Sequence, residues 1–329
     1  MGGSDALGRT EGRRQGWGCV MPGSSSALVV GRAEPRASLT IPRPNVADFW
    51  TLTKPEVNFL ILIATFTGFY LGYPGNLHTL PLRRLIDTLF GTLLVASGAG
   101  TLNQYLEHRF DARMRRTQRR PVASGRMRPA TAAWFGLLLS AAGGAYLLLT
   151  VNAVAGFLAV FTLATYLCIY TPLKRRTPLC TFVGAIPGAI PTLIGWAAAT
   201  GSLASVKAWI LYSMLFFWQF PHFMAIAWMY REDYARAGYS ILPAEGEFGF
   251  LTWQACLPCL GLLMASTAAV GANREGSIEY CGTLLLGLGL LYYAVRFVLV
   301  RSRIAARQLL KASIAYLPIE FLILMLGRG

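Results

Sequence analysis

Asn103-Gln104-Tyr105-Leu106-Glu107-His108-Arg109-Phe110-Asp111-Ala112-Arg113-Met114-Arg115-Arg116-Thr117-Gln118-Arg119-Arg120-Pro121 follows directly on a long apolar run. Asn103, Glu107 and Asp111 recur at spacings of four. Four residues on an α-helix turn through about 400°, a drift of about 40° per step, so the three side chains share one helix face. Six arginines crowd the same stretch, at 109, 113, 115, 116, 119 and 120. Oxygen acceptors followed by guanidinium groups are the chemistry that holds a divalent metal and a phosphate together. Arginines anchored to lipid headgroups would account for the cations but not for Asn103 and Glu107. Such groups at the mouth of a membrane span mark a functional site.

The chain around this stretch has 329 residues, of which 54% are hydrophobic and 14% charged, with mean hydropathy +0.47. Soluble domains carry roughly 25% charged residues. Apolar runs long enough to cross a bilayer recur to the C-terminus. They cover approximately Val57–Tyr73, Leu85–Leu106, Ala130–Thr150, Val151–Tyr170, Leu179–Thr200, Ala208–Tyr230, Phe250–Val270, Gly282–Val300 and Ala312–Leu326. The prediction is an all-α polytopic membrane protein with nine spans. A membrane barrel would show short alternating strands instead. The third and fourth spans are expected to meet in a tight hairpin at Val151-Asn152, and Pro187, Pro191 and Pro221 to kink the fifth and sixth. Residues 1–46 are Arg-rich, with Gly, Ser and Pro throughout, and are expected to form a mobile tail. Residues 47–329 form the nine-helix domain, entered through an interfacial segment around Phe49, Trp50, Lys54 and Pro55.

Net charge is +15, and no nucleic-acid reading element accompanies it. The basic residues sort by side instead. The tail and the loops after the even-numbered spans hold 25 Lys and Arg, against five on the other side. This bias places the first group in the cytoplasm of a bacterium, or in the matrix if the membrane is the mitochondrial inner membrane. The six cysteines are scattered, and Cys256 and Cys259 lie in an apolar run without a second ligand pair, as packing residues do.

Two further groups lie on that same side. Tyr170-Thr171-Pro172-Leu173-Lys174-Arg175-Arg176 ends the fourth span, where cations are ordinary anchors unless a metal site stands beside them. Lys174 and Arg175 are then candidates for phosphate oxygens. Trp218-Gln219-Phe220-Pro221-His222-Phe223 lies inside the sixth span, with Gln219 and His222 facing one way. A histidine within a membrane helix, beside a proline, suits ligand or acid–base work. Asp233, just past that span, is the counterpart of Asp111. His108 stands about 100° round the helix from Glu107, and His78 lies in a loop on the opposite side.

These residues resemble a known family. Asn103…Glu107…Asp111 with Met114, Arg116-Thr117, Arg120-Pro121 and Ser124-Gly125-Arg126 are similar to the first signature of the UbiA-type intramembrane prenyltransferases. Leu52-Thr53-Lys54-Pro55-Glu56, Tyr170 to Arg175, Trp218-Gln219-x-Pro221-His222-Phe223 and Asp233-Tyr234-x-x-Ala237-Gly238 extend the likeness. The Met-x-Arg-Thr-x-x-Arg-Pro pattern is similar to the protohaem IX farnesyltransferase (haem O synthase) branch. The resemblance implies nine helices around a central cavity. It also implies transfer of a farnesyl group from farnesyl diphosphate to a vinyl carbon of haem B, with water added, giving haem O and diphosphate. Asn103, Glu107, Asp111 and Asp233 would hold Mg²⁺, and Arg116, Arg120, Lys174 and Arg175 the diphosphate. The superfamily's second motif is usually rich in aspartate. Here Gln219 and His222 occupy that region, which implies that both meet the haem, His222 as an iron ligand or as a propionate or proton partner. Lipid contact, and contact with haem A synthase or with terminal-oxidase assembly, follow from the same resemblance.

Two other functions fit parts of the sequence. An aromatic acceptor, such as a quinone or chlorophyll precursor, would fit the first signature but not the Pro221-His222-Phe223 segment. A transporter of an anionic lipid would fit the interrupted helices, but the chain has no internal repeat and its polar groups gather at one face.

Overall fold

The computed structural model describes residues 44–75, 77–242, 248–273 and 276–327. The expected tail falls at residues 1–43, outside the described residues, apart from its last three positions. The described residues form helices and no strand. A short helix α1 (Val46–Thr53) leads into α2 (Pro55–Gly72), α3 (Leu82–Asp111) and α4 (Pro129–Thr150). Next, α5 (Ala153–Ala164), a π-helical turn (Thr165–Tyr170) and α6 (Thr171–Leu173) run on as one rod. Then come α7 (Cys180–Thr200), α8 (Val206–Met229), the short α9 (Arg231–Ala237), α10 (Phe248–Asn273), α11 (Ser277–Val300) and α12 (Arg303–Leu326). Among the described residues nine helical segments are long and apolar enough to cross a membrane. With no water in the bilayer core, helices satisfy their own backbone groups, which is why the apolar runs take this form. The chain is an integral membrane protein.

The spans pack mainly against their sequence neighbours, with two longer-range pairings: α2 lies along α7, and α12 lies along α8. Small residues set these distances. A side chain at Gly68 or Gly195 would collide with the backbone carbonyls of Thr192 and Thr65, so α2 and α7 touch backbone to backbone. Polar side chains inside the bundle find partners on other helices: Thr283 Oγ1 donates to Glu320 Oε1 at 2.9 Å, and Ser266 and Tyr316 share a hydrogen bond of 2.7 Å.

Two boundaries differ from the sequence expectation. The second span runs helically to Asp111, past the apolar limit at Leu106, which puts the whole Asn103–Asp111 series on one helix. The last span begins at Arg303 rather than Ala312, because Ser302 caps the polar turns by accepting from Ala305 N at 3.1 Å. The expected hairpin between the third and fourth spans is present, with Asn152 capping α5 through Ala155 N at 2.8 Å.

Candidate active site

Four elements converge at the arginine-rich end of the bundle: α1 with its turn into α2, the end of α3 with the loop after it, α6 with its own loop, and α9. Helix α1 starts with a reciprocal cap, in which Asn45 Oδ1 accepts from Asp48 N and Asp48 Oδ2 accepts from Asn45 N. Arg126, from the loop after α3, bonds Asp48 Oδ1 at 3.0 Å. Leu52 packs with Val122, Met127 and Ala132, and Gln104 Nε2 donates to the carbonyls of Thr51 and Leu52. Helix α1 is therefore tied to α3 and its loop, and it delivers Lys54 into the site. Lys54 has left-handed backbone angles (φ 52°), rare for a residue with a side chain. Its ammonium is held from the other end by Asn103 Oδ1, at 3.0 Å.

Three of the expected residues form one buried cluster on this anchor. Asn103 Nδ2 donates to Glu107 Oε2 at 2.8 Å. The Lys174 ammonium donates to both Glu107 oxygens and stands 4.6 Å from the centre of the Tyr170 ring. Pro172 in α6 has no N–H for the carbonyl of Cys168, and the rod widens into its π turn there. Thr171 Oγ1 donates to the Tyr166 carbonyl at 2.9 Å. Burial works against the Lys174 charge, but the Tyr170 ring and Glu107 outweigh it, and its pKa stands well above the ordinary lysine value. Lys54 goes the other way. Burial, then the charges of Arg120 and Lys174, pull its pKa down to about 7.

One turn beyond Glu107, the Asp111 carboxylate is buried, and its Oδ2 accepts from Arg120 Nη1 at 2.7 Å. Its Oδ1 is buried without a hydrogen-bond partner. A buried, unpaired carboxylate oxygen is costly and calls for a cation or a donor from a ligand. Asp233 on α9 is engaged on both oxygens, one by the Arg116 backbone N–H at 3.3 Å and the other by Arg236. The Arg116 guanidinium lies over the Tyr230 ring at 4.8 Å and donates to Tyr234 Oη at 3.2 Å. Arg116 and Asp233 thus join the loops after the second and sixth spans.

Among the described residues, no three side chains of His, Cys, Asp and Glu converge as a ready-made metal cage. A closed cage is not what Mg²⁺ requires, since it binds one or two carboxylates and completes its shell with water and phosphate oxygens. The open Asp111 Oδ1, on the same helix face as Asn103 and Glu107 and ringed by cations, fits that donor set.

A pocket of about 220 Å³ opens beside Glu107, lined by Leu106, Phe110, Thr171, Pro172, Arg175 and Tyr239 among others. Arg175 is exposed at its edge, 4.9 Å over the Phe110 ring. Tyr239 is buried with its hydroxyl facing Glu107 but without a hydrogen bond of ordinary length, and burial, then the nearness of Glu107, pushes its pKa up. Ser240, next in the chain, ties this segment to α6 by donating from its backbone N to the Lys174 carbonyl at 2.9 Å.

Gln219 and His222 share no hydrogen bond or ion pair with these groups. Gln219 Nε2 donates to the carbonyls of Ala185 on α7 and Leu215 on α8, and its Oε1 lies against Gly188. His222 bonds Ser313 on α12. His108 Nδ1 donates to the Tyr105 carbonyl on its own helix at 2.6 Å, and His78 is exposed in a short turn. Sequence reasoning set Lys54 in the lead-in segment without a part in the site, and did not single out Tyr239. The first had a signal, a lysine at the mouth of a span. The second had none, because only the fold carries it to Glu107.

The sequence matches the UbiA prenyltransferase family over residues 61–317. It is 43% identical over 288 residues to a protein of Solibacter usitatus named protoheme IX farnesyltransferase, covering 85% of this chain and 98% of that one. Two solved structures share the fold. One is a digeranylgeranylglyceryl phosphate synthase, with TM-score 0.71, 14% identity, and coverage of 86% of this chain and 98% of that one. The other is a UbiA homologue from Archaeoglobus fulgidus bound to GPP and Mg²⁺, with TM-score 0.57, 13% identity, and coverage of 84% and 99%.

Proposed function

The chain belongs to the UbiA prenyltransferase family, and from that membership we propose that it transfers a farnesyl group from farnesyl diphosphate to a vinyl group of haem B. Water adds in the same reaction, giving haem O and diphosphate. The observation that carries the donor half is the open Asp111 Oδ1 among Arg120, Lys174 and Lys54. The name of the Solibacter usitatus relative supports the acceptor half.

Asn103, Glu107 and Asp111 would hold Mg²⁺, with Asp233 as a second-motif ligand once it is released from Arg236. When bound with the diphosphate, the ion offsets negative charge that grows on the departing oxygens. The rest is the work of the chain. Lys54, Lys174, Arg120, Arg116 and Arg175 supply fixed cations around the diphosphate, aimed where charge develops as the allylic C–O bond breaks. Tyr239 offers a hydroxyl donor beside Glu107. The positive charge left on the farnesyl carbon is spread over its allyl system. The vinyl π electrons close the new C–C bond, and the cation left next to the porphyrin takes the oxygen of water, which gives up one proton. Helix walls exclude bulk water from the farnesyl cation until that bond has formed. His222 and Gln219 serve the haem side. The charge bias supports a site on the cytoplasmic face of a bacterial plasma membrane, with the matrix face of the mitochondrial inner membrane as the alternative.

The test is direct. Purified protein incubated with haem B, farnesyl diphosphate and Mg²⁺ should yield a haem whose mass has risen by one farnesyl group and one hydroxyl group. Prenylation of a hydroxybenzoate, with no adduct on the haem, would overturn the acceptor assignment.

A further inference from the structure

The His222 ring is held on three sides. The Trp218 ring stacks on it with centroids 4.6 Å apart, the Phe223 ring meets it edge-on at 5.7 Å, and its Nδ1 lies 2.9 Å from Ser313 Oγ on α12. What Ser313 does with its single hydroxyl proton fixes the direction of that last bond. The hydroxyl donates to the Leu310 carbonyl at 2.8 Å, so toward His222 it can only accept. In the neutral imidazole, Nδ1 therefore carries the proton and Nε2 the lone pair. Ser313 is fully buried, and its own carbonyl accepts from Trp218 Nε1 at 2.7 Å, which ties α12 to α8 beside the histidine. Nε2 makes no hydrogen bond among the described residues. A bare lone pair cannot bind a propionate, which is itself an acceptor. It can bind a metal.

We propose that Ser313 is a positioning residue for the acceptor half of the reaction. It locks His222 in the Nδ1–H tautomer and leaves Nε2 free to ligate the iron of the haem substrate. The iron assignment rests on the haem reading above; the tautomer lock does not.

Two measurements separate them. The chain has three histidines, so ring-¹⁵N-labelled protein gives few signals, and His222→Gln identifies those of His222. The expected result is the Nδ1–H tautomer in the wild type and a mixture in Ser313→Ala. An Nε2–H ring in the wild type, or an unaltered ring in Ser313→Ala, overturns the lock, and no haem is needed for either result. Titration with haem B, followed in the Soret band, should show imidazole ligation that His222→Ala abolishes. Ser313→Ala should bind haem about tenfold more weakly, the usual effect of losing the partner that orients a ligating histidine. Its KM for farnesyl diphosphate should not change. A His222→Ala spectrum identical to the wild type overturns the iron assignment. A wild type that binds no haem and prenylates a hydroxybenzoate sinks the acceptor reading itself, and the labelled ring then still decides the lock.

Discussion

The Lys174 ammonium reaches both oxygens of Glu107, at 3.0 and 3.2 Å, and so ties the end of the fourth span to the second. The two side chains are 13% and 8% exposed, which makes this a buried pair. Removing one partner strands the other charge, a loss of about 3–5 kcal/mol, whereas removing both at once costs far less. Lys174→Met should therefore unfold at a clearly lower temperature in detergent than the wild type, and Lys174→Met/Glu107→Gln should recover much of the difference. Equal losses in the single and double variants would show that the two groups are not coupled. Both variants should lose farnesyl transfer.

Asp111 offers a cleaner separation of binding from chemistry. Its Oδ1 has no protein partner, while Oδ2 holds Arg120. Asp111→Asn keeps the shape and removes the charge. Its turnover should fall by about 10²–10³, the scale set by losing one aimed electrostatic group at a developing charge. Haem B affinity, read in the Soret band, should be unchanged. Full turnover in Asp111→Asn would remove this residue from the donor site.

Lys54 makes stability depend on pH. Its folded pKa of about 7 lies below the ordinary 10.5. Below pH 7 the group is charged in both states, and folding bears the full cost of burying it. Between the two values the unfolded chain holds a proton that the folded chain has released, so rising pH favours the folded state. With chelator present, the wild type should gain thermal stability relative to Lys54→Met from about pH 6.5 to about pH 9. A constant difference between the two proteins across that range would contradict the lowered value.

The donor half of the site was legible because its signal is local. Asn103, Glu107 and Asp111 share a face by helical period alone, and their arginines follow in the same stretch. The nine spans were legible for a similar reason, since an apolar run in lipid must be helical. What stayed hidden depends on contacts between distant segments. Lys54 meets Asn103 across 49 residues, and His222 meets Ser313 across 91. Asp233 is the counterpart of Asp111 in the sequence, and only the fold shows its oxygens engaged by Arg116 and Arg236. Gln219 shared a face with His222 on the helical period, yet its amide donates to backbone carbonyls. The helix ends escaped for another reason: capping by Ser302 carries α12 into polar sequence that hydropathy excludes.

Tyr239 can be tested by removing one oxygen atom. The residue is 8% exposed, and its hydroxyl faces Glu107 without a hydrogen bond of ordinary length. With no well-made hydrogen bond to lose, Tyr239→Phe should be about as stable as the wild type. If the hydroxyl donates to the diphosphate, the same change should lower kcat/KM for farnesyl diphosphate by tenfold or more, given about 1.5–3 kcal/mol for a hydrogen bond to a charged group. Haem B affinity should stay where it was. Unchanged kcat/KM would take Tyr239 out of the site, and a large drop in unfolding temperature would show that the hydroxyl serves the fold instead. The expected pair, stability kept and donor use lost, is the pattern that separates a ligand contact from a packing contact at this position.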